Sequence, residues 1–175
     1  TKTLTASTYM GLDYCKLCHS GGLGAQDKYT SWQNTAHAHI FTDGINGVLG
    51  TYRSSCLPCH TAGYNANTNA ILNPVNGGFD DVAKKLGWVF PTVQAPTNWA
   101  YMQTVYPKLA SLANIQCENC HGPGSQHAYS LGNTNFISKT LGSGDCNQCH
   151  DAPTHHIKGT EWYSSQHAVM GSHTS

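Results

Sequence analysis

Charge is scarce in this chain. Lys and Arg together number 9, Asp and Glu 9, and charged residues fill 10% of its 175 positions. With a formal net charge of zero and a pI near 7.1, no basic surface argues for nucleic acid. Apolar residues are also few, at 39%, and no apolar run is long enough to span a membrane. No basic-then-apolar leader stands at "TKTLTASTYMG", which reads as a mature N-terminus with its signal removed. Ser, Thr, Asn and Gly take up the difference, in runs such as Gly63 to Ala70. Side chains of this kind bury too little apolar area to offset chain entropy unaided. Something other than side chains is expected to supply part of the core. The length fits a single domain, residues 1–175.

What is present is cysteine, in a fixed pattern. Four pairs share one spacing and one following residue: Cys15, Cys18 and His19; Cys56, Cys59 and His60; Cys117, Cys120 and His121; Cys146, Cys149 and His150. Zinc sites, a disulfide framework and covalent haem attachment compete for such pairs. His directly after the second Cys is the mark of c-type haem attachment. With 11 His in the chain, four at that position would coincide by chance roughly once in 10⁵. Zinc needs no His there, and disulfides need none at all. On a helical turn residues i, i+3 and i+4 share a face. Two thioethers and an iron-facing imidazole therefore come from one turn. The expectation is four covalent haem c groups that fill much of the core. The fold expected around them is mainly α with much irregular loop and little or no β-sheet.

Each iron has a second axial position, and seven histidines remain: His37, His39, His127, His155, His156, His167 and His173. Met10, Met102 and Met170 could ligate instead, although packing is their commoner use. Thr30 or Ser31 can cap a helix through Phe41, ended near Gly44. It would carry His37 and His39 about 200° apart, so that they serve different irons. Thr160 can cap another helix through Met170, carrying His167. His127 follows a Gly/Pro turn that could fold back beside the third attachment site. His155 and His156 lie too close to His150 for the other side of that haem, but within reach of a neighbouring one. Asp80 to Gly87 and Thr97 to Ile115, interrupted by Pro107, read as helices. Asn73 to Phe79 reads as a loop or hairpin turn. Trp88, Phe90, Trp99, Tyr101 and Tyr106 are expected to pack on haem faces.

The segments "SWQNTAHAHIF", "CLPCHTAGY" and "CENCHGPGSQHA" resemble the tetrahaem cytochromes c that accept electrons from hydroxylamine oxidoreductase. The resemblance runs from about Tyr14 to Tyr129 and returns at the fourth motif. It implies that His37 pairs with His121, and His127 with His19. The chain departs from that family in its low Lys content and shorter C-terminal portion. It is also similar to the small tetrahaem extracellular cytochromes that polymerise into electron-conducting filaments. That similarity implies bis-histidine haems in a continuous chain and an axial ligand donated across the subunit boundary. Trp162 to His167 repeats the spacing of Trp32 to His37. Either His167 or His39 could be the bridging ligand.

The function expected is electron transfer without catalysis, in the repeating subunit of an extracellular filament. Its partners would be further copies of the chain, with redox proteins or extracellular electron acceptors at the ends. A soluble periplasmic carrier is the first alternative. A small-oxyanion or hydroxylamine redox enzyme with one open iron is the second, and surplus His argues against it.

Overall fold

The computed structural model describes residues 6–67, 69, 71–139 and 142–150. The chain falls into two units, Thr1–Ser138 and Lys139–Ser175. Among the described residues all regular structure is helical, and the only β feature is an isolated bridge between Thr61 and Ala113. No described helix is long and apolar enough to cross a membrane.

Among the described residues the first unit holds nine short α-helices: α1 (Leu12–His19), α2 (Tyr29–Trp32), α3 (Ile40–Ile45), α4 (Leu57–His60), α5 (Phe79–Leu86), α6 (Asn98–Val105), α7 (Pro107–Ala110), α8 (Cys117–His121) and α9 (Ser125–Tyr129). The described part of the second unit contains α10 (Ser143–His150). There the Asp145 carboxylate accepts the Gly142 N–H at 2.8 Å.

Local chemistry sets several boundaries. Helix α5 has Asp80 and Asp81 in its first turn and Lys84 and Lys85 in its last, matching the helix dipole. It stops at Gly87, whose φ of 65° suits a residue without Cβ. Pro107 separates α6 from α7 and opens the second, where its missing N–H costs nothing. The segment before α5 is a loop rather than a hairpin. The Asp81 carboxylate accepts the N–H groups of Asn76 at 2.7 Å and Gly77 at 3.0 Å.

The single helix expected from Thr30 to Phe41 is instead three pieces: α2, a 3-10 turn at Ala36–Ala38, and α3. The break has a local and a distant cause. Asn34 donates its amide to the Thr30 carbonyl and Thr35 its hydroxyl to the Trp32 carbonyl, so side chains take acceptors the helix needs. The Trp32 indole meanwhile donates to the carbonyl of distant Ile115. Helix α3 is capped from outside its own segment. The Asn114 side-chain oxygen accepts the N–H of Phe41 at 2.8 Å and of Thr42 at 3.2 Å. Asn114 itself holds φ of 67°, a conformation Asn tolerates better than most residues.

The core belongs mostly to residues 41–113. Phe41, Ile45, Tyr52, Leu57, Phe79, Val82, Met102, Leu109 and Leu112 form one buried cluster. Phe41 meets Phe79 at 5.5 Å and Trp99 at 6.1 Å between ring centroids, both edge-on. Trp88, Phe90, Trp99 and Tyr106 pack on this cluster, so side chains supply more of the interior than composition suggested. Met102 is among them, buried as a packing residue.

Candidate haem-attachment site

Three of the four Cys-x-x-Cys-His segments lie in the first unit, and each forms a helical turn. The first ends α1, the second spans the entry to α4 and α4 itself, and the third is α8. The fourth closes α10. One turn per motif brings both sulfurs and the imidazole to one side. Among the described residues no cysteine is joined in a disulfide, and no group of three or more His, Cys, Asp or Glu is arranged to hold a metal ion.

The first and third motifs meet. The Cys15 thiol donates to the Gly11 carbonyl at 3.8 Å, and its closeness to Cys117, with burial, pushes it up well beyond its usual range and brings Cys117 down. The two middle residues of the third motif hold this junction. Glu118 is 1% exposed, and its carboxylate accepts N–H groups from Gly11 at 2.7 Å, Gly124 at 2.7 Å and Met10 at 3.1 Å. Burial raises its pKa, and those three donors pull it partly back. Gly11 precedes α1 and Gly124 precedes α9, so one carboxylate fixes the starts of the helices bearing His19 and His127. Asn119 donates to the Thr61 carbonyl at 2.9 Å, tying α8 to the residue after His60.

The rings of His19 and His127 lie 6.3 Å apart between centroids, with 20° between their planes. Two imidazole nitrogens each about 2 Å from one first-row metal place their ring centroids roughly 6 Å apart. The pair therefore has room for one iron. His127 donates its Nδ1–H to the Asn133 carbonyl at 3.1 Å, which leaves Nε2 with the lone pair. His19 has a buried Nδ1 with no partner.

His121 donates its Nδ1–H to the Ser138 carbonyl at 2.6 Å, and Ser138 returns its N–H to the His121 carbonyl at 2.9 Å. An open cleft of about 360 Å³ lies beside it, lined by Ser7, His121, Pro123, Gln126, Phe136 and Ser138 among others. The His37 segment is brought toward this motif. The Ile115 N–H donates to the His37 carbonyl at 3.0 Å, two residues before Cys117. His60 holds its Nδ1 3.2 Å from the Tyr52 hydroxyl.

His39 is exposed, and its Nε2–H donates to the Gln33 carbonyl at 2.8 Å. A neutral ring so held can ligate only through Nδ1. His155, His156, His167 and His173, the helix expected from Thr160 to Met170, and Met170 lie outside the described residues. Glu118, Asn119, Tyr52 and Asn114 were not singled out from the sequence. The signal that could have found Glu118 is a carboxylate inside a cysteine motif of a charge-poor chain.

Residues 14–83, less than half of the chain, match the family described as cytochrome c554 and c-prime. The matched stretch holds the first two motifs and the segment from Trp32 to His39. No curated protein and no solved structure matches the chain. The family match supports a multihaem c-type cytochrome, and with it covalent haem and electron transfer.

Proposed function

We propose that this chain conducts electrons through four covalently attached haem c groups, each held between two imidazoles. Cys15, Cys18, Cys56, Cys59, Cys117, Cys120, Cys146 and Cys149 would form the thioethers. His19, His60, His121 and His150 would face the irons from the attachment side. The observation that carries the reading is the facing pair His19 and His127, 6.3 Å apart. An iron held by both of these rings would leave a substrate no position there. Held this way, haem supplies outer-sphere electron transfer at a potential lower than Met/His ligation gives. The closeness of Cys15 to Cys117 supports a short spacing between the first and third haems.

The finer reading is a repeating subunit of an extracellular filament, with a periplasmic carrier as the alternative. His39 favours the filament. It is exposed, held by Gln33, and turned to a role that only Nδ1 can fill. A neighbouring copy's iron is the partner that role suits, with His167 the other candidate for the bridge.

Intact-mass measurement of the native protein beside the alkaline pyridine spectrum tests the haem count. Four covalent haems support the reading, and fewer overturn it. Negative-stain electron microscopy with sedimentation tests assembly. Uniform thin filaments support the filament, and a homogeneous monomer across concentrations leaves a soluble carrier.

A further inference from the structure

Tyr52 is 4% exposed, and its ring lies nearly parallel to that of His60, with centroids 5.5 Å apart and 17° between planes. Its hydroxyl stands 3.2 Å from His60 Nδ1. The ring is held from other sides as well. Phe41 meets it edge-on at 6.2 Å and Phe90 lies tilted at 6.0 Å. Tyr52 occupies this place because residue 44 is glycine. A Cβ on Gly44 would run into the Tyr52 ring.

The nitrogen that faces a metal is decided by the bond the other nitrogen makes. An acceptor on Nδ1 leaves Nε2 with its lone pair, fixes the ring plane, and makes the imidazole a better donor. We infer that Tyr52 is a positioning residue for the second haem site, fixing the plane of His60 and lowering that haem's potential by accepting its Nδ1–H. The inference rests on the haem reading above. The third site shows the stronger version of the same device, because His121 gives its Nδ1–H to a peptide carbonyl at 2.6 Å. A phenol at 3.2 Å is the weaker acceptor, so on this account the second haem takes an electron more readily than the third.

The test is Tyr52→Phe in the haem-loaded protein, which keeps the stacked ring and removes the acceptor. Potentials are read haem by haem from the haem-methyl resonances, the second haem assigned through its thioether links to Cys56 and Cys59. The expected result is a rise at the second haem alone, by about a tenfold change in its reduction equilibrium, or about 59 mV for one electron. Its low-temperature EPR signal, which follows ring orientation, should shift less in Tyr52→Phe than in Tyr52→Leu. If Tyr52→Phe does not fold, Gly44→Ala displaces the ring and should move the same component upward. Four haems with no component sensitive to either change overturn the inference and leave the electron-transfer reading standing. A second motif that carries no haem overturns both.

Discussion

The indole N–H of Trp32 donates to the carbonyl of Ile115 at 2.9 Å, across 83 residues of chain. The Ile115 N–H in turn donates to the His37 carbonyl at 3.0 Å. The backbone of one residue therefore holds both ends of the Trp-x₄-His segment, just ahead of the third motif. Trp32→Phe removes the donor and keeps most of the apolar surface. It should cost about 1 kcal/mol in denaturant unfolding, and it should perturb the third haem's spectrum more than the second's.

Glu118→Ala should be far more damaging. It strips acceptors from the N–H groups of Met10, Gly11 and Gly124, at a site with almost no access to water. A loss of about 3–5 kcal/mol follows from leaving several buried donors unpaired. Because those donors start the helices of His19 and His127, the low-spin signal of the first haem should weaken before the others do. Thermal melts followed in parallel with EPR separate global loss from this local one.

His127→Ala should open one iron and leave three closed. Carbon monoxide added to the reduced variant should then shift about a quarter of the haem absorbance, one site among the four motifs. Wild-type protein should show no such stoichiometric shift. A full-sized shift in the wild type would revive the reading as an enzyme with an open haem.

Asn114→Ala removes the distant cap of α3 and places a less tolerant residue at a φ of 67°. The cap is worth about 1–2 kcal/mol and the backbone strain about 1 kcal/mol more. Asn114→Gly should recover the strain and not the cap. Comparing the two variants by chemical denaturation assigns each share.

Helix α5 was legible because its signals are local: paired Asp at one end, paired Lys near the other, and Gly87 to stop it. The split between α6 and α7 was legible for the same reason, since Pro107 acts on its own backbone. The break at residues 33–39 was not, because half its cause sits at Ile115. Glu118 and Asn119 were hidden differently. They occupy the two positions of a Cys-x-x-Cys-His motif that attachment chemistry leaves open, and only the folded chain shows what else those positions hold. The aromatic core was underread because a low apolar fraction averages over the chain. The cluster gathers Phe41, Phe79, Trp88 and Trp99 from segments separated by polar loops.

The stitching of Ser7 and Thr8 to Pro123 and Ser125 spans more than a hundred residues. It therefore cannot form until the third motif and the turn after it have emerged. Contacts this remote close late, since the loop between them must be gathered first. While the chain is being made, then, the first two cysteine pairs wait on an open strand, accessible for covalent haem attachment. The same Glu118 that locks the finished junction is synthesised after them. Closure of this junction is consequently a matter of schedule: the first two pairs stay open until the last stitch forms.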